Sequence, residues 1–167
     1  SDTGNNRIQT LKINPDGTLI ALYSFGKKGE GLGEFSTIGA LAIKEEYLFV
    51  VDLNNYRIQF VKIKPDGGLL AFTQLTLEKG IKGLGLVSGG SVLLIKGDYL
   101  YAINGYNHRI QVLKINPDGS LTAKFIFGKN GKNLGEFDMP IALAIKDNYL
   151  YVADSGNSRI QVLEIKY

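Results

Sequence analysis

The chain is written in copies of itself. The segment DTGNNRIQTLKI, which opens at Asp2, returns as DLNNYRIQFVKI from Asp52, NGYNHRIQVLKI from Asn104 and DSGNSRIQVLEI from Asp154, in steps of 50, 52 and 50 residues. A fixed period of this size means one supersecondary unit repeated, each copy burying its apolar face against the next. Other features keep the same phase. PDG recurs at Pro15, Pro65 and Pro117, and GEF at Gly33 and Gly135, with Gly85-Leu86-Val87 as the divergent middle copy. Three full periods are present.

Within a period the pattern is one of short strands and tight turns. ALAIK at Ala40 to Lys44, VLLIK at Val92 to Lys96 and ALAIK at Ala142 to Lys146 carry small or aliphatic residues and form a first strand, a. YLFVVD, YLYAIN and YLYVAD form a second, Tyr-rich strand, b. Only Glu45-Glu46, Gly97-Asp98 or Asp147-Asn148 separate the two, which is hairpin spacing. The RIQ segments make strand c. PDG then combines the preset φ of proline with a glycine that accepts positive φ, the chemistry of a short turn into strand d. Helix signals are essentially missing. The order of strands along the chain is c, d, then a, b, c, d twice, then a, b, c, which predicts thirteen strands.

Four antiparallel strands per period without helices fit a blade of a β-propeller; a solenoid of stacked hairpins is the alternative, although its coils are usually shorter. The run GEF…P.ALAI…YLYVADSGNSRIQVL, clearest from Gly135 to Leu163, closely resembles the NHL repeat. The resemblance covers nearly the whole chain and implies an all-β fold of the six-bladed propeller type, with residues 1–167 as a single domain. The blade repeats would be about 1–30 plus 134–167, 31–82 and 83–133.

Propellers close with four to eight blades, and three cannot surround a channel without severe strain in the wedge angle. Two chains meeting head to tail would solve this. Strands a, b and c at one C-terminus would meet c and d at the other N-terminus, and two half-rings would close into six blades around a two-fold axis. The expected first partner is therefore a second copy of the chain, a homodimer; the alternative is a piece of a longer ring.

Composition narrows the function. With 44% hydrophobic residues the chain can bury a core, and it has no apolar run long enough to span a membrane, so no membrane partner is expected. No Cys occurs, which removes disulfides, thiolate metal sites and Cys nucleophiles, and leaves the compartment open. The net charge of +3 permits an anionic partner without requiring one.

Asp and Arg five residues apart recur as Asp2/Arg7, Asp52/Arg57 and Asp154/Arg159, with Asn104/Arg109 as the variant. A reaction needs one asymmetric site, whereas this pair appears in every copy. It is read as a charge-assisted clamp on the b/c loop. Asn5, Asn55, Asn107 and Asn157 are read as left-handed turn residues of the same loop. His108 is the sole histidine, too few for a metal cluster or a catalytic dyad. In this the chain departs from the amidating-lyase-like and lactonase-like propellers that the resemblance also brings in, which rely on histidines or an acidic calcium centre. GKKGEGLGEF and GKNGKNLGEF lack the Gly-Lys-Ser/Thr ending and the following helix of a phosphate loop, and are read as d/a connections between blades. Hence no catalytic residue, no metal and no cofactor is expected.

In a propeller the d/a and b/c loops share one face. Here they carry Lys27, Lys28, Lys79, Lys82, Lys129 and Lys132 together with Tyr56, Tyr106 and His108. This is the expected ligand face. Glu30, Glu34, Glu78, Glu136 and Asp138 lie in the same loops and oppose a net positive patch. The reading is a non-catalytic scaffold that presents this face to a protein or peptide. The alternatives are RNA or another polyanion, since lysines interleaved with stacking groups suit single strands and some NHL domains are similar in using this face for RNA, or an enzyme of the lyase or hydrolase type.

Overall fold

The computed structural model describes residues 1–76 and 92–166. It is all-β, with thirteen strands among the described residues, in two compact units: Ser1–Thr76, and a second from Leu77 onward. In the first unit β1 (Ile8–Ile13) and β2 (Leu19–Phe25) form a two-stranded sheet, followed by β3 (Ile38–Lys44), β4 (Tyr47–Asp52), β5 (Arg57–Ile63) and β6 (Leu69–Thr76) in a four-stranded one. In the second, β7 (Leu93–Lys96), β8 (Tyr99–Asn104), β9 (Arg109–Ile115) and β10 (Leu121–Phe127) form four strands, and β11 (Pro140–Lys146), β12 (Tyr149–Asp154) and β13 (Arg159–Glu164) form three. Every pairing is antiparallel between neighbours in sequence. This is the c, d, a, b, c, d, a, b, c, d, a, b, c order expected from the sequence.

The turns follow from their residues. At the a/b hairpins Glu45, Gly97 and Asp147 take φ of 53°, 55° and 50°, and in the PDG turns Gly17, Gly67 and Gly119 take φ of 83°, 87° and 82°. The Asp of each PDG accepts the backbone N–H two residues on: Asp16 from Thr18, Asp66 from Gly68, Asp118 from Ser120. These bonds are local to the c/d turn and need no partner from another strand.

One departure from the expected strand-and-turn pattern lies in the b/c loops, where short 3-10 turns cover Thr3–Asn5, Gly105–Asn107 and Ser155–Asn157. The left-handed residue is the one after the expected asparagine: Asn6, Tyr56, His108 and Ser158 have φ between 51° and 53°. The asparagines before them serve a different purpose, described below.

Each unit has its own core between successive sheets. In the first, Ile8 of β1 meets Phe35, Ile38, Leu48, Val50 and Val61, with Phe25 and Leu69 packed against them. In the second, Ile110, Phe137, Leu150 and Val152 take the places of Ile8, Phe35, Leu48 and Val50, at an offset of 102 residues. The phenylalanine of GEF is the plug of each core. Phe35 and Phe137 are wholly buried, edge-on to Phe25 and Phe127, and each burial contributes about 1.5–3 kcal/mol.

Candidate functional site

The d/a and b/c loops meet at one end of the sheets, and a buried carboxylate organises them. In the first unit Asp52, with no exposed surface, lies at the end of β4. It accepts the backbone N–H of Ser36 at 2.9 Å, Asn55 Nδ2 at 2.8 Å, Arg57 Nε at 2.8 Å and Gln59 Nε2 at 3.4 Å. Arg57 reaches past it, donating Nη1 to the carbonyl of Glu30 and to Gln74, and Nη2 to the carbonyls of Gly31 and Glu34. Gln59 closes the circuit, donating to Glu34 O and accepting Gly33 N–H. Asn55 also donates to Gly29 O, so the asparagine ties the b/c loop to the preceding d/a loop.

The second unit repeats the arrangement. Asp154 accepts from Asp138 N, Asn157 Nδ2, Arg159 Nε and Gln161 Nε2 at 2.7–3.0 Å. Arg159 donates to the carbonyls of Lys132, Asn133 and Glu136, and Gln161 bridges Glu136 O and Gly135 N. Burial pushes the Asp154 carboxyl up, but the four donors together outweigh it and hold the group below its ordinary value of 3.8. At the N-terminus Asp2 keeps Arg7 at 2.7 Å, with Asn5 and Gln9, in a more open setting, and the hydrogen bond from Arg7 lowers its pKa. Asn104 takes the aspartate's place in the third copy, accepting from Asn107 N at 3.3 Å and Asn107 Nδ2 at 2.9 Å beside Arg109. Among the described residues the buried Gln111 amide has no hydrogen-bond partner.

The candidate ligand face divides into groups. Tyr56 and Tyr106, 46% and 51% exposed, stand on the b/c loops, and Leu32 and Leu134, 52% and 90% exposed, cap the d/a loops. Lys27 and Lys129 point outward but are paired with Glu34 at 3.1 Å and Glu136 at 3.2 Å. Lys28 is exposed and forms a backbone bridge to Phe35. Lys132 lends its carbonyl to Arg159. Lys79 and Lys82 lie outside the described residues. His108 is mostly buried between loops. Its Nδ1 accepts the N–H of Met139 at 3.2 Å and stands 3.4 Å from Asp138, while Nε2 faces Asn130 at 3.1 Å. Through these contacts the ring joins two successive blades.

Two contributors were not singled out from the sequence. The glutamine of RIQ is as much a part of the clamp as the aspartate, and its recurrence at Gln9, Gln59, Gln111 and Gln161 was the available signal. The exposed leucine of the GEF loop likewise recurs at Leu32 and Leu134. Among the described residues no group of three or more His, Asp or Glu side chains converges as a metal site would require.

Residues 137–163 match the NHL repeat model. No curated protein matches the chain in sequence. Among solved structures it is similar to a functionally unknown protein from Desulfotomaculum acetoxidans DSM 771 (14% identity, TM-score 0.68, covering 99% of this chain and 50% of that one). A candidate 6-phosphogluconolactonase from Bacteroides uniformis ATCC 8492 is similar at 20% identity and TM-score 0.70, covering 98% and 46%. A protein from Lactobacillus plantarum follows at 16% and 0.65, covering 98% and 52%. At these identities the likeness speaks for the fold, and the chain spans about half the length of each of these structures.

Proposed function

Given a β-propeller chain that carries the NHL repeat, we propose that it is a non-catalytic scaffold, a half-ring that pairs with a second copy and presents its d/a and b/c loop face to a protein or peptide. The observation that carries this reading is the use made of the recurring polar groups. In both complete clamps the carboxylate, guanidinium and carboxamide are committed to loop backbone and to one another: all five N–H groups of Arg57 and four of the five of Arg159 have acceptors among the described residues. The large apolar groups outward on these loops are Leu32 and Tyr56 in the first unit and Tyr106 and Leu134 in the second, beside the exposed Lys28 and Lys132, an aromatic and aliphatic set of the kind that anchors protein contacts. The ion pairs of Lys27 and Lys129 with glutamates favour this over a polyanion, because each pair cancels the charge that phosphate recognition needs.

The test is selection from a displayed peptide library, with the Tyr56→Ala/Tyr106→Ala/Leu134→Ala variant as counter-target. Binders expected from this reading lose at least tenfold in affinity for the variant. Peptides indifferent to it would overturn the choice of face. Salt-sensitive binding of oligouridine would favour the polyanion reading, and hydrolysis of 6-phosphogluconolactone above buffer would overturn the non-catalytic one.

A further inference from the structure

The second unit holds an apolar groove of about 260 Å³ between its two sheets, lined by Ile110, Phe125, Phe127, Leu150, Leu163 and Ile165. Phe125 and Phe127 are 56% and 39% exposed there. The same positions 102 residues earlier in the first unit are Ile8, Tyr23, Phe25, Leu48, Val61 and Ile63, of which all but Tyr23 pack in its core. In that unit a strand d continues the sheet: β6 pairs with β5, Leu69 opposite Ile63, and Leu69 packs on the core. The occupant that fits the groove is thus a strand d leaving a PDG turn, with leucine first.

Resting on the half-ring reading above, we infer that β2 of a second copy fills this groove, pairing with β13 as β6 pairs with β5, and that β13 displaces β1 from β2. β2 follows the first PDG turn and begins with Leu19, the counterpart of Leu69, which is 59% exposed in the single chain. The register carried over from β5 and β6 sets Leu19 opposite Ile165, Ile20 opposite Glu164 and Ala21 opposite Leu163.

β1 now holds that edge, with Ile20 opposite Lys12, and the two candidate c strands differ in what anchors them. Arg159 and Gln161 of β13 reach Lys132, Asn133, Gly135 and Glu136, besides Asp154. Among the described residues Arg7 and Gln9 donate from their side chains only to Asp2. The apolar exchange is like for like. Ile160 of β13, 71% exposed, corresponds to Ile8 of β1, which is 4% exposed in the first unit's core. When β13 takes the place of β1, Ile160 enters the site that Ile8 leaves, and Leu19 fills the groove in addition.

Because the chain has no cysteine, pairs introduced by mutation report directly. In the proposed pairing Ile20→Cys/Glu164→Cys places two thiols opposite each other across copies, and mild oxidation is expected to give a band near twice 18.3 kDa on a non-reducing denaturing gel. Lys12→Cys/Ile20→Cys locks β1 onto β2 within one chain. Oxidised, it is expected to run near 18.3 kDa by light scattering, and to regain the doubled mass on reduction. Leu19→Glu is expected to weaken dimerisation at least tenfold while leaving the monomer's circular dichroism unchanged. A wild-type chain that stays monomeric across dilution overturns both the half-ring and this exchange. A dimeric wild type whose Ile20→Cys/Glu164→Cys variant forms no disulfide between copies, or whose locked variant is still dimeric, keeps the half-ring and overturns the exchange alone.

Discussion

The same ion pair occurs at three depths, which makes the chain its own control for the value of buried charge. Asp52 to Arg57, Asp154 to Arg159 and Asp2 to Arg7 are 2.8, 2.7 and 2.7 Å apart, so their geometry is shared. Their side-chain exposures differ: 0% and 4%, 0% and 29%, 25% and 38%. Asp52→Ala leaves the Arg57 charge sealed from water, orphans the N–H of Ser36 and takes one of two acceptors from each of the Asn55 and Gln59 amides. Breaking a buried pair from one side costs about 3–5 kcal/mol, roughly a fifth or more of the ordinary stability of a domain. At Asp154 the guanidinium reaches solvent and the loss is smaller. At Asp2 water replaces the carboxylate on both partners, and no measurable change is expected. Urea unfolding of the three alanine variants, followed by far-ultraviolet circular dichroism and by tyrosine fluorescence since the chain has no Trp, gives the order directly. Equal midpoint shifts, or a loss at Asp52 under about 1 kcal/mol, would show that the clamp holds its loops by packing and not by charge.

Two further outcomes follow from the same geometry. The carboxyls of Asp16, Asp66 and Asp118 are lowered by their turn bonds, to Thr18, Gly68 and Ser120 first, and that of Asp154 by its four donors over the opposing effect of burial. A folded-state pKa below the unfolded value means the unfolded chain binds more protons in between, so stability is fully present above about 4 and is lost as pH falls through the folded values; urea midpoints from pH 2 to pH 7 should be level in the upper half and fall in the lower, and a midpoint that rises on acidification would contradict this. A Cβ at Gly128 would lie 2.5 Å from the Phe137 ring, at a φ of +95°. Gly128→Ala is expected to cost about 2–4 kcal/mol, read from the same urea curves, while Gly4→Ala, with open space around it, serves as the neutral comparison.

Repetition made most of this fold legible. Once the period is seen, the strand order follows from turn chemistry alone, because PDG and the two-residue a/b gaps allow little besides hairpins. The clamp was half legible. Asp and Arg advertise themselves by charge, but the acceptors the arginines need are backbone carbonyls 23 to 27 residues earlier, in loops whose own residues are mostly glycine, lysine and glutamate. A side chain that binds backbone leaves no complementary residue type to find, so Gln59 and Gln161 read as ordinary strand residues although each joins three groups. The left-handed residue shows a related limit. Asn6, Tyr56, His108 and Ser158 share a conformation and no side-chain chemistry, since the backbone there is set by the tight turn ahead of them, a 3-10 turn before Asn6, His108 and Ser158, and beside Tyr56 and Ser158 also by the bond from Asn55 or Asn157 to the neighbouring loop. The lysines are the reverse case. The sequence already sets Glu34 and Glu136 in the same loops against a net positive patch; what it does not give is the pairing, in which a glycine-rich loop folds back on itself to bring Lys27 and Glu34, and Lys129 and Glu136, each seven residues apart, within 3.2 Å. Charge counted along a chain measures a surface only where the backbone is extended. In these loops it is not, and each unit keeps an exposed tyrosine and leucine there, Tyr56 with Leu32 in the first and Tyr106 with Leu134 in the second.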